Sequence, residues 1–159
     1  MKIFTIGVYG KTADQFFSAL TEHQIDVFCD IRQRRGLRGS MYTFANSLSL
    51  QKKLQELGIH YLYEKNLAPT KEVREKQWED DKTKKETKKY RSVLGNAFVK
   101  CYCEQILDTF DFEVLKEQLE NLSAKNVVFF CVEANHEACH RSLVAQRLAD
   151  IFNCEIINL

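Results

Sequence analysis

The run Val127-Val128-Phe129-Phe130-Cys131-Val132, followed by Glu133-Ala134-Asn135-His136-Glu137-Ala138 and then Cys139-His140-Arg141, decides the fold. Its opening residues are apolar, and β-branched and aromatic side chains sit side by side rather than alternating with polar ones. A strand covered on both faces reads this way, and such strands belong to parallel sheets flanked by helices. Residues 133–138 form a polar loop. From Cys139 onward, Leu143, Val144, Leu148, Ile151 and Phe152 recur at the spacing of one helical face. A buried strand that runs through a short loop into an amphipathic helix is half of a βαβ unit.

The pattern extends in both directions. Ile3-Phe4-Thr5-Ile6 is a first strand ended by Gly7, and Thr12-Ala13-Asp14-Gln15 has the spacing of a capping box ahead of Phe16, Phe17 and Leu20. Ile25–Ile31 is a second buried strand. A helix from about Ser47 to Leu57 carries Leu48, Leu50 and Leu54 and stops at Gly58, before a third strand at Ile59–Tyr63. This order predicts consecutive right-handed βαβ units. Helical periodicity returns over Leu94–Leu107 and Phe112–Leu122, and Cys154–Leu159 is a last strand. The predicted fold is therefore α/β: three layers around a mostly parallel, Rossmann-like central sheet of about five strands, in one domain spanning residues 1–159. Residues 70–93 interrupt it. From Thr70 to Tyr90 charged residues crowd the chain, Trp78 is almost the only large apolar group, and Pro69 marks the start. The stretch reads as a charged helical or mobile insertion, a solvated face rather than a binding arm.

Composition narrows the function classes. At 45% hydrophobic and 11% aromatic residues the chain is too apolar to be disordered. Lys and Arg total 23 against 22 Asp and Glu, so partners must be read from local patches rather than from net charge. No apolar stretch reaches bilayer length. The opening MKIFTIGVYGK reads as a strand, not an export signal, which predicts a cytoplasmic protein with no membrane partner and six reduced cysteines. Cys29, Cys131 and Cys154 fall in strands, where a thiol is ordinarily a small buried hydrophobe.

Parallel sheets bind ligands at the carboxyl ends of their strands. Three segments are expected to meet there: Gly7-Val8-Tyr9-Gly10, Asp30-Ile31-Arg32 with the basic loop Gln33–Gly39, and Cys131 through Arg141. In the third, helix N-terminal amides and the Arg141 guanidinium form a site for a phosphate or carboxylate. Cys139, at a helix start beside His140 and Arg141, is placed for a lowered thiol pKa and for nucleophilic work. Glu133 reads either as a cap or ion-pair partner or as a general acid or base. Asp30 beside Arg32 reads either as an ion pair that organises its loop or as an acid or base next to an anion clamp. Arg34, Arg35 and Arg38, near Tyr42 and Phe44, have the composition of a phosphate-contacting patch with stacking partners. Gly7 and Tyr9 complete the predicted substrate-binding set with Arg32, Arg34, Arg35 and Arg141. The predicted catalytic set is Asp30, Glu133, Cys139 and His140. Cys131, Glu133, Cys139 and His140 are competent metal ligands, but neither Cys-x-x-Cys nor a pair of spaced histidines is present, so no metal is predicted. The G-x-G-x-x-G and Walker signatures are absent, and the cofactor stays unknown.

The chain resembles the family called domain of unknown function 488. The resemblance rests on Thr5-Ile6-Gly7, Asp30-Ile31-Arg32 with its basic loop and the aromatic Phe44, Gly58-Ile59-His60-Tyr61-Leu62, the segment from Leu67 to Thr70, Cys131-x-Glu133, and Cys139-His140-Arg141-Ser142-Leu143. Where the family often has Gly-His-Ser this chain has Gly7-Val8-Tyr9, and where it often has Gly-Gly this chain has Ala68-Pro69. The resemblance implies the fold and the site position, not a reaction. Three functions stay open: an enzyme acting on a phosphate-bearing nucleotide or nucleic acid, a non-catalytic nucleic-acid-binding module, and a thiol or metal protein built on Cys131 and Cys139.

Overall fold

The strand Asn126–Cys131 is flanked on both sides, as its continuous apolar run requires. The computed structural model describes residues 1–87 and 90–159; Lys88 and Lys89, within the predicted insertion, lie outside the described residues. Five strands form one sheet: β1 (Lys2–Gly7), β2 (Val27–Asp30), β3 (His60–Tyr63), β4 (Asn126–Cys131) and β5 (Ile156–Asn158). Their order is β3-β2-β4-β1-β5, and every pairing is parallel. The fold is thus α/β and Rossmann-like, and wholly rather than mostly parallel. β4 lies between β1 and β2 and pairs with both.

Helices cover both faces. α1 (Ala13–Glu22) and α2 (Ser47–Glu56) lie on one side. Their Phe16, Leu20, Leu50 and Leu54 pack against Phe4, Ile6, Phe28 and Phe130. α1 starts where the sequence places it: Thr12 and Gln15 form the reciprocal capping box. α4 (Asn96–Tyr102), α5 (Phe112–Asn121) and α6 (His140–Phe152) cover the other side, their apolar residues meeting Ile3, Val27, Cys29, Val127 and Phe129. The predicted helix over 94–107 is α4 followed by a π-helical turn, Cys103–Leu107.

The order of strands creates a crevice. The chain leaves β1 and β2 toward the α1–α2 face, and leaves β4, which lies between them, toward the opposite face. Connections that part in this way open a gap at the carboxyl ends, here directly above Cys131.

The stretch after Pro69 is a helix, α3 (Lys71–Lys84), capped by the Thr70 hydroxyl. Most of its charged residues face solvent, as predicted. One stripe does not: Val73, Gln77 and Asp81, each four residues from the last, are buried. The insertion therefore packs its own inward face on the body of the protein.

Gly7 ends β1 where the turn after β4 comes closest. A Cβ at this position would lie 1.9 Å from the Glu133 carbonyl oxygen. Backbone cannot yield as a flexible side chain can, so Gly7→Ala is expected to lower stability by about 3 kcal/mol, measured by thermal or denaturant unfolding. Gly36→Ala, with open space around the new methyl, is the control and should melt like the parent.

Candidate functional site

A cavity of about 360 Å³ opens at the carboxyl ends of β2 and β4. Its floor is Cys131, Val132, Glu133, Cys139 and His140. One wall is Arg32 with the loop after β2, including Gln33 and Arg34; Tyr9 adds the end of β1. The opposite wall comes from the charged insertion and the chain after it: Pro69, Arg74, Gln77, Trp78, Arg91 and Phe98.

The floor is shaped by Arg141. Its side chain is 1% exposed and donates to the Glu133 carbonyl at 2.6 Å, to the Ala134 carbonyl at 3.1 Å and to the Thr5 hydroxyl at 3.4 Å. The guanidinium folds the turn after β4 back over β1, and it is not a wall of the cavity. Tyr9 adds to the same closure by donating its backbone N–H to the Val132 carbonyl at 3.0 Å.

A polar cluster lies on this floor. Cys139 is the N-cap residue of α6, yet its thiol makes no capping bond. It turns inward, 3.9 Å from His140 Nδ1, and Cys131 Sγ lies at the same 3.9 Å from that nitrogen. Cys131 Sγ also donates to Glu133 Oε2 at 3.3 Å. The far side of the ring, Nε2, is 3.2 Å from the Ile31 carbonyl. A carbonyl only accepts, so Nε2 carries a proton and a neutral ring presents the Nδ1 lone pair to the two sulfurs. Burial opposes ionisation of Cys139, but a hydrogen bond from the Cys131 thiol, when it turns from Glu133 to Cys139, and the charge of a protonated His140 outweigh it and hold the thiol well below its ordinary range. Burial likewise disfavours the imidazolium, and the facing Cys139 charge overcomes this and raises His140.

The arginines of the cavity are of two kinds. Arg32 is locked: its Nε and Nη2 donate to Asp30 at 2.9 and 2.7 Å, its Nη1 to the Ala45 carbonyl at 3.0 Å, and its plane lies 4.4 Å from the centroid of the Phe130 ring. Tyr61 completes Asp30 with a 2.9 Å hydroxyl bond. Arg91 is locked in the same way by a two-point pair with Asp81, which Gln77 also holds at 2.8 Å. Arg34 and Arg74 have no carboxylate partner among the described residues, and Arg74 Nε is buried without a hydrogen bond.

The sequence-predicted residues therefore separate. Tyr9, Arg32, Arg34, Glu133, Cys139 and His140 share the cavity. Gly7, Asp30 and Arg141 stand behind it and shape its walls. Arg35 is elsewhere, stacked 4.1 Å from the centre of the Tyr63 ring. Cys131, read as a core thiol, belongs to the cluster, and the wall residues Arg74, Gln77, Trp78 and Arg91 had no place in the predicted site. A lone tryptophan in a charged helix, with Gln77 and Asp81 on the same face as Val73, is the signal that marks them.

The model of the family described as domain of unknown function DUF488 matches residues 12–148. The chain belongs to that family, and the match takes in β2, β4 and every cavity residue except Tyr9. No curated protein and no solved structure matches the chain. Among the described residues no helix is long and apolar enough to cross a membrane.

The clamp on α3 has a pH signature. Burial raises Asp81, but the Arg91 fork and the Gln77 amide outweigh it and hold the carboxyl below its ordinary value. A carboxylate depressed by folding adds stability above the ordinary carboxylate range, and that stability is lost as pH falls through the folded value. Acidification is therefore expected to speed hydrogen exchange at α3 amides before those of β4. Asp81→Asn should remove this acid step and cost about 3 kcal/mol at neutral pH, because it strands the Arg91 charge. Equal onset in α3 and β4 would argue against the clamp.

Proposed function

We propose that this protein is an enzyme acting on a phosphate-bearing substrate, a nucleotide or a nucleic-acid end, with the anion held between Arg34 and Arg74. One observation carries the reading: two arginines with no carboxylate partner among the described residues line the same cavity as Glu133 and the Cys139–His140 pair. Guanidinium groups suit phosphate because their planar fork meets two oxygens at once. Arg32 and Arg91 add fixed donors whose positions are set in advance by Asp30 and Asp81, which lessens the ordering cost of binding. Trp78, 55% exposed at the wall, offers a face for a base. Glu133 serves as acid or base at the reacting end, with Cys139 or His140 beside it as nucleophile or proton carrier.

The Arg34→Ala/Arg74→Ala double variant removes both free guanidinium groups without touching the buried pairs. Its melting temperature should equal the parent's. Its affinity for a panel of nucleoside mono- and diphosphates, read by calorimetry, should fall by about 100-fold, on the order of 1–2 kcal/mol for each charge-assisted contact. Glu133→Gln should keep binding and lose turnover. Parent and double variant binding the panel equally, or neither binding any member of it, overturns the reading.

A further inference from the structure

We infer that Cys131, Cys139 and His140 form a binding site for a thiophilic divalent ion, zinc by ligand type, with its fourth position open to the cavity. The ligand atoms all lie within 4.8 Å of one another, and all three residues are buried. A tetrahedral zinc ion, with bonds of ~2.3 Å to sulfur and ~2.0 Å to nitrogen, sets those ligands ~3.6 Å apart. Both sulfurs stand 3.9 Å from Nδ1, within a few tenths of an ångström of that spacing, and no two of the three ligand atoms are more than 4.8 Å apart.

The surroundings support the ring as a ligand. The Ile31 carbonyl takes the Nε2 proton and so turns the Nδ1 lone pair toward the sulfurs. A hydrogen bond of this kind is the usual outer contact of a metal-bound histidine. The edge of the Tyr102 ring, 5.5 Å between centroids, holds the imidazole from the side. Cys139 sits at the start of α6, where the helix dipole favours a thiolate, and thiolates are the form that binds metal.

The site is also open in the right direction. Cys131, Cys139 and His140 all border the cavity, and so does Glu133. Two sulfurs and one nitrogen leave a position for water or a substrate oxygen, the arrangement of a reactive rather than a purely structural zinc centre. Glu133 Oε2 lies 3.3 Å from Cys131 Sγ, at the edge of the cluster. The existence of the metal site is independent of the phosphate reading; with the ion bound, Cys139 and His140 serve as its ligands in place of nucleophile or proton carrier, and its role, polarising an oxygen of the bound substrate, rests on that reading.

The test uses the full chain purified without chelator. Elemental analysis should give about one zinc per chain. Cobalt(II) exchanged into the protein should show thiolate-to-cobalt charge transfer and the strong visible bands of a four-coordinate ion. Cys139→Ser should take the metal content from about one equivalent to none, and Cys154→Ser, outside the cluster, should leave it unchanged. The parent readings stand even if Cys139→Ser does not fold. Metal-free parent protein that yields no charge-transfer band with cobalt(II) overturns the inference. Nucleoside phosphate binding by that same sample would show that only the metal site has failed.

Discussion

The guanidinium of Arg141 faces carbonyl oxygens. It is a buried charge whose donors are spent on Glu133, Ala134 and Thr5, and that expenditure fixes where the chain goes after β4. Hydrogen bonds from charged donors contribute roughly 1.5–3 kcal/mol, and more is lost if the acceptors are left buried and unsatisfied. The turn they hold brings Glu133 back over the sheet and delivers Cys139 and His140 beside Cys131. Gly7 is the counterpart on β1, since only a residue without a Cβ lets the Glu133 carbonyl come so near. An arginine that looks like a ligand contact in the sequence thus builds the floor on which a ligand would rest.

The cavity has a second ordering principle. Two buried carboxylate–guanidinium pairs, Asp30–Arg32 at the end of β2 and Asp81–Arg91 joining α3 to the chain after it, present their arginines to it from opposite sides. Each pair is close to neutral, so neither adds much to the potential. What each supplies is a rigid donor surface, with Tyr61 and Gln77 holding the carboxylates from behind. The net positive character comes from Arg34 and Arg74, which are half-buried or exposed. Rigid neutral walls and two adjustable cations make a pocket that can adapt its charge without moving its frame.

The strands and most helices were legible because they bury continuous apolar runs or single apolar stripes. Thr12 and Gln15 announced the start of α1 through their own hydrogen bonds. The place of β4 was not legible. Nothing in Val127–Val132 says which neighbours it takes, since every strand of the sheet presents a similar apolar surface. The inward face of α3 was missed for a different reason. Gln77 and Asp81 are polar, and their burial is balanced by Arg91, ten residues beyond Asp81 in the sequence, so a hydrophobic period could not reveal it. Cys131 reads both as a core thiol of an apolar strand and as half of a thiol or metal pair with Cys139, and what the strand itself does not show is His140, brought back by the turn. The Cys139-His140-Arg141 motif lies where the cavity opens, but the guanidinium of Arg141 is spent on carbonyls behind it.

Trp78 is the sole tryptophan of the chain and belongs to the cavity wall. Its indole is half in water, on a helix clamped through Asp81 rather than through the sheet. Tryptophan emission from the whole molecule therefore arises at one place, and its colour and quenching report the wetness of that wall alone. The protein carries its own optical gauge of whether the pocket is filled, with no label required.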